Sequence, residues 1–230
     1  MPPFIHTGLS VYSVREQYET TLQVTLYVAF LSIRRVRVRT IVIQISSENM
    51  EGVWFTAAVN EKGQLVACAF SDRNKELSEA VVRKAIPVDF SNHNDSFLNR
   101  RLQELHSLFS GRGKLDLKEL DLSRVSSFRR RVYLQLSRIP RGKVTTYGEI
   151  AKKLGSVTFS RAVGMANAMN PLPLAIPCHR VLPSSLRVGN YGMPGRKPSD
   201  GGYMKRALLE REGVKFDGNR VSKEYVWSPD

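Results

Sequence analysis

Apolar positions recur along this chain with two kinds of spacing. Val53-Trp54-Phe55-Thr56-Ala57-Ala58-Val59 and Gln64-Leu65-Val66-Ala67-Cys68-Ala69-Phe70 are short apolar runs flanking Asn60-Glu61-Lys62-Gly63. Runs of that length around a glycine-containing turn predict a β-hairpin. Residues 75–86 and 95–109 then switch to helical spacing, with Phe97, Leu98, Leu102, Leu105, Leu108 and Phe109 on one stripe. Gly111-Arg112-Gly113 ends that helix, and Leu115 to Leu120 reads as a returning strand. No cluster of titratable residues falls in this half, and Cys68 sits in a strand pattern as a buried structural thiol. It reads as scaffold.

A second region begins around residues 120–126. Ser126 caps a helix predicted to run to about Ile139, with Phe128, Val132, Leu136 and Ile139 on one face, and Pro140-Arg141-Gly142 ends it. Thr146-Tyr147-Gly148-Glu149 opens a short helix through Lys153-Leu154-Gly155. After a loop from Ser156 to Phe159, a third helix runs from Ser160 to about Met169 and stops at Asn170-Pro171. Two short helices around a tight glycine turn outline a helix-turn-helix, a shape also common in other α-rich proteins.

Residues 1–49 read differently. Leu22 to Ile33 is mostly apolar but too short to span a bilayer, and its basic run, Arg34 to Arg39, follows it rather than precedes it as in a secretory signal. Ile41-Val42-Ile43-Gln44-Ile45 favours a strand. An extra strand, a loosely attached arm, or a segment ahead of a start at Met50 all fit.

Charge changes the picture. The chain of 230 residues carries 35 Lys and Arg against 21 Asp and Glu, a formal net of +14. Residues 121–230 hold 20 of the basic and 8 of the acidic residues, a net of +12, so a polyanionic partner is met by the second half. The cysteines, Cys68 and Cys178, lie far apart in sequence, which excludes a disulfide framework and a cysteine-rich zinc site and suits a reducing compartment.

The sharpest chemical feature is Pro177-Cys178-His179-Arg180-Val181, behind the apolar run Leu172-Pro173-Leu174-Ala175-Ile176. A cysteine reacts as its thiolate, which neighbouring imidazole or cationic groups favour. Alone, the motif fits a buried cysteine beside an incidental basic pair equally well. Around it stand, in order, Arg141-Gly142-Lys143-Val144-Thr145-Thr146-Tyr147-Gly148-Glu149-Ile150-Ala151, Arg161-Ala162-Val163-Gly164, Asn170-Pro171 and Gly189-Asn190-Tyr191-Gly192. This series resembles the O6-alkylguanine-DNA alkyltransferases, the methylated-DNA–protein-cysteine methyltransferases. The resemblance is close over residues 126–217, weaker over 50–120, and does not reach 1–49.

The resemblance implies a fold and a set of roles. The fold is an α/β N-terminal domain, a small ribonuclease H-like sheet with helices, followed by a mostly α C-terminal domain with a winged-helix-like helix-turn-helix. Residues 1–49 would be an extension, 50–120 the scaffold and 121–230 the DNA-binding and transfer domain. Cys178 would accept the alkyl group from guanine O6, and from thymine O4 as a further substrate. His179 would deprotonate it through a water, and Glu212 would orient the imidazole. Asn170 would brace the turn before the active-site strand. Tyr147 would place its hydroxyl near guanine N3, and Arg161 would fill the stack left by the flipped base. Gly164 and Ala168, like Ala162 and Ala166, would let the recognition helix approach the minor groove closely. Thr146, Ser156, Ser184 and Arg180 would contact DNA; Tyr191, Gly192, Val181 and Lys205 would shape the pocket. The implied partner is double-stranded DNA containing O6-alkylguanine, bound by a monomer without cofactor, metal or membrane, in the cytoplasm or, in a eukaryote, the nucleus.

This chain departs from the family pattern at two places. Gly192 stands where the family commonly has a serine, which bears on the range of alkyl groups accepted. The segment 193–202 is longer than usual; it either walls the pocket or forms a mobile surface loop, and its Pro, Gly and charge content favours the loop. A lesion-binding relative without transfer would lack Cys178. A DNA-binding regulator would leave Cys178-His179-Arg180 unused, and a cysteine hydrolase would not need the basic helices.

Overall fold

The computed structural model describes residues 43–88, 90–91, 96–197 and 201–228. The apolar stretch Leu22–Ile33 and the arginine run after it lie outside these residues. The chain first forms an antiparallel meander, β1 (Ile43–Met50), β2 (Val53–Val59) and β3 (Leu65–Ser71). The expected hairpin turn is present at Asn60–Gly63, where Gly63 adopts φ +69°. Helix α1 (Lys75–Ala85) leads to β4 (Phe90–Ser91), which pairs parallel to β1 and completes the sheet order β3-β2-β1-β4. Strand β1 is thus a paired member of the sheet with Ile43 and Ile45 in its core, so the boundary expected at 49/50 cuts through an element.

Helix α2 (Ser96–Phe109) buries Leu98, Leu102, Leu105 and Phe109 on the face of the sheet opposite α1. Phe97 does not join that stripe. It is 45% exposed, against Gly63 of the hairpin turn. Residues 115–120 do not form a strand either: Leu117–Glu119 is a 3-10 turn, and only Leu120 bridges to Leu65. That bridge serves an edge. Strand β3 ends the sheet yet is buried throughout, because the Cys68 amide donates to the Pro171 carbonyl at 2.8 Å and the Asp121 amide to the Leu65 carbonyl at 2.9 Å. The sheet is therefore sewn to the loop that precedes Cys178.

The second half is mostly helical. Helix α3 (Ser127–Leu136) is shorter than expected, although Ile139 beyond it is still buried. Its Tyr133, fully buried, donates to the Ala166 and Met169 carbonyls at 2.9 and 3.1 Å, serving free groups at the end of a later helix. Strand β5 (Thr145–Thr146) runs into α4 (Tyr147–Lys153), capped by the Thr146 hydroxyl. A turn at Gly155, φ +116°, leads through a 3-10 turn at Val157–Phe159 to α5 (Ser160–Ala168). Strand β6 (Val181–Leu182) pairs parallel with β5, and α6 (Gly202–Arg211) with the hairpin β7 (Phe216–Asp217) and β8 (Arg220–Val221) closes the chain. One apolar cluster joins Phe55, Cys68 and Phe70 of the sheet to Tyr133, Val163, Cys178 and Leu208, so the bed of Cys178 is continuous with the sheet core.

Candidate active site

Cys178 is positioned by a braced loop. The Asn170 side chain donates to the Ile176 carbonyl at 2.9 Å, and its oxygen accepts from the Leu172 amide at 3.0 Å. Between them Leu174 is held at φ +72°, a region costly for a branched residue and persistent only where neighbours enforce it. The chain then enters a 3-10 turn, Cys178–Arg180. Successive side chains of such a turn point about 120° apart, so Cys178 and His179 face different surroundings although adjacent in sequence.

Cys178 lines a cavity of about 550 Å³ together with Tyr147, Asn170, Tyr191 and Lys205, and Ala69, Phe70 and Val81 of the N-terminal half line it as well. Cys178 is 7% exposed. Burial pushes its pKa up, while a hydrogen bond from Asn170 and the charge of Lys205 pull the other way. Lys205 is itself 2% exposed and donates to the Val181 carbonyl at 2.7 Å; burial lowers its pKa to about 8. Cys68 is buried on β3, its thiol donating to the Pro173 carbonyl at 3.2 Å, and burial drives its pKa far above the usual thiol range. It is the unreactive one of the pair.

His179 turns away from the cavity into a buried charge cluster. Its Nε2 meets Glu212 Oε1 at 2.9 Å, and the Arg180 guanidinium bonds both Glu212 oxygens at 2.8–3.2 Å. Glu212 is the residue after α6, its side chain 4% exposed. Burial raises a carboxyl's pKa, but the His179 and Arg180 contacts outweigh it and hold Glu212 at about 2. Burial lowers the His179 pKa against the pull of Glu212. A neutral imidazole giving its Nε2–H to that carboxylate presents Nδ1 as an acceptor, and Nδ1 is buried with no partner. A thiol in a cavity beside such an imidazole can be deprotonated and attack an electrophile.

The pattern of the family described as 6-O-methylguanine DNA methyltransferase, DNA binding domain, matches residues 127–214. The methylated-DNA–protein-cysteine methyltransferase of Saccharolobus islandicus is 41% identical over 129 residues, which is 56% of this chain and 78% of that relative. This chain belongs to the methylated-DNA–protein-cysteine methyltransferase family. Its structure resembles the crystal structure of Mycobacterium tuberculosis O6-methylguanine methyltransferase, with 31% identity and a TM-score of 0.56 over 74% of this chain and 92% of that one. The crystal structure of Mycobacterium tuberculosis OGT in complex with DNA gives 29% identity and a TM-score of 0.57, covering 75% of this chain and 92% of that one.

Set against the family pattern, the structure redistributes several residues. Arg180, expected on DNA, is committed inside the protein, bonding Glu212 and, through Nη1, the Ile139 carbonyl at 2.8 Å. Val181, expected in the pocket, is fully buried in β6, and its carbonyl is taken by Lys205. The loop 193–197 is a wall and not a free surface segment: Met193, Pro194 and Gly195 line the cavity. Arg73 donates to the Gly195 carbonyl at 3.0 Å, Arg196 pairs with Asp72 at 3.1 Å, and the Tyr203 hydroxyl bonds the same carboxylate. Residues 198–200 lie outside the described residues.

Other expected residues stand in a row. Along α5, Arg161, Met165, Ala168 and Met169 are exposed, while Gly164, Asn167 and Ala168 line the cavity. Thr146 and Ser156 use their oxygens as caps, accepting from the Glu149 and Thr158 amides, and the Ser156 hydroxyl also shares a hydrogen bond with the Thr158 hydroxyl at 2.8 Å; Ser184 is exposed. Tyr191 is buried with its hydroxyl beside the Cys178 thiol, and Gly192 is exposed at the cavity rim with open space where a Cβ would stand. Asn167 and Asp72 were not singled out by the sequence. Asn167 carried a signal as a lone amide in a helix of small residues; Asp72 carried none. Among the described residues no group of three His, Cys, Asp or Glu could hold a metal ion, and no helix is long and apolar enough to cross a membrane.

Proposed function

We propose that this protein repairs double-stranded DNA by moving the alkyl group of O6-alkylguanine once, irreversibly, onto the sulfur of Cys178. The observation that carries this reading is a buried, cavity-facing cysteine followed in its 3-10 turn by a histidine whose Nε2 is held by Glu212 and whose buried Nδ1 has no partner. His179 Nδ1 takes the thiol proton through an intervening water. The thiolate, favoured by Asn170 and Lys205, attacks the alkyl carbon; the sulfur–carbon bond forms as the carbon–O6 bond breaks. The electron pair passes into the guanine ring, and Tyr147 donates a hydrogen bond or proton at N3. Burial raises the Tyr147 pKa, which keeps the phenol protonated for that task.

The target base lies inside a duplex and is flipped out to reach the cavity, with Arg161 entering the vacated stack. Arg161 is exposed at the head of α5, and its side chain makes no ion pair among the described residues. The helix pair α4–α5 serves as a winged-helix-like reader lying in the minor groove, and the sheet region as a ribonuclease H-like scaffold. Residues 50–120 then support, and 121–230 bind DNA and transfer. The protein acts as a monomer in the compartment that holds the DNA, and O4-alkylthymine is a second substrate class.

Duplex carrying a labelled O6-methylguanine tests this directly. Label should move covalently to the protein, at no more than one group per molecule, and Cys178→Ser should abolish transfer while retaining DNA binding. Adducts mapped to Cys68, or many turnovers per molecule, would refute the assignment. Binding without transfer would favour a lesion-recognition protein.

A further inference from the structure

Asn167 is a polar side chain of the cavity that the transfer chemistry does not use. Asn167 lines it from α5, one helical turn beyond Gly164 and beside the Tyr147 phenol. Its Nδ2 and Oδ1 are both buried, and the Tyr147 phenol approaches the carboxamide without closing a hydrogen bond of good geometry. Among the described residues it is the only amide in that condition. By contrast, Asn170, one turn further on, has both groups engaged. A buried carboxamide with an idle donor and an idle acceptor is costly in a free protein, and a ligand that offers the complementary pair relieves the cost.

We infer that the Asn167 carboxamide reads the 2-amino edge of the flipped base. Its Nδ2–H donates to a ring nitrogen and its Oδ1 accepts from the neighbouring exocyclic amine. O6-alkylguanine offers that pair on either side of C2, because alkylation leaves N1 without a proton and N3 is already an acceptor. O4-alkylthymine offers only acceptors there, O2 and N3, so Oδ1 would face a lone pair. An O6-alkylated hypoxanthine has the ring nitrogens but no amine, so Oδ1 would stay unpaired. Asn167 is then a specificity-determining residue that makes 2-aminopurines the preferred substrates and O4-alkylthymine a poor one. This rests on the repair function proposed above.

The test compares single-turnover transfer from duplexes carrying O6-methylguanine or O6-methylhypoxanthine, for the wild-type protein and for Asn167→Leu, which keeps the size and removes both polar atoms. The wild type should favour guanine by roughly tenfold or more, in the range of bidentate base-edge discrimination. Asn167→Leu should bring the ratio to within about twofold, for the same reason. The ratio is the readout because any loss of folded protein scales both rates alike. Free O6-benzylguanine and O6-benzylhypoxanthine should show the same collapse, which excludes an effect on DNA binding. A ratio that survives the substitution, or a wild type without preference, overturns the inference. A wild type that takes an alkyl group from neither lesion overturns the repair reading itself.

Discussion

Replacing Glu212 by Gln keeps the shape of the side chain and removes one charge from a site that is almost closed to water. The carboxylate there serves His179, Arg180 and, at 3.4 Å, the Gly142 amide. Without it the Arg180 guanidinium, 12% exposed, loses its counter-charge. The folded pKa of about 2 against an ordinary 4.5 corresponds to about 3 kcal/mol contributed by the ionised form. Breaking a buried ion pair by removing one partner costs a similar amount, about 3–5 kcal/mol. The folded pKa is depressed, so this stability is complete above pH 4.5 and is lost as the pH falls toward 2. Urea unfolding followed from pH 7 to pH 2 measures it. At pH 7 the Glu212→Gln midpoint should lie about 1–2 M lower than the wild type, and near pH 2 the two curves should converge. A difference below about 1 kcal/mol at pH 7 would refute the reasoning, because it is smaller than the cost of an uncompensated buried charge. So would a gap that persists at pH 2, since shape and not charge would then be responsible.

Arg161→Ala should slow transfer from duplex DNA far more than transfer from free O6-benzylguanine; equal losses in single-turnover assays would remove its role in base flipping. Gly192→Ser should leave the melting temperature nearly unchanged, within about 0.5 kcal/mol, because its Cβ meets open space. Gly201→Ala should behave oppositely, since its Cβ would lie 1.9 Å from the Tyr191 carbonyl oxygen, and overpacking of that kind costs about 1–3 kcal/mol or more. A melting curve for Gly201→Ala that matches the wild type would contradict the packing described for that turn. Affinity for undamaged duplex should fall steeply as salt rises and vary little with sequence, which binding titrations between low and moderate salt will show.

Local order was largely legible in the sequence, because hydrophobic spacing and punctuation by Gly and Pro act over a few residues. The hairpin at Asn60–Gly63, the helix pair α4–α5 and the stop at Asn170-Pro171 follow from them. The Asn170 side chain, too, bonds groups within six residues of it. Commitments between distant segments were not legible from spacing. Arg180 looks like any basic residue of a strongly positive chain until α6 ends with Glu212 beside it. The residues 193–197 read as a polar loop until Asp72 and Arg73, more than a hundred positions earlier, are found fastening them. Cys178 and Tyr147 line one cavity, and the two-residue strands next to them in the chain, β5 and β6, pair with each other; such strands are too short to leave a periodic trace. A charged side chain can equally face water, phosphate or a buried counter-ion. Residue type sets what each group can do, and only the folded chain decides which partner shares its low-dielectric surroundings.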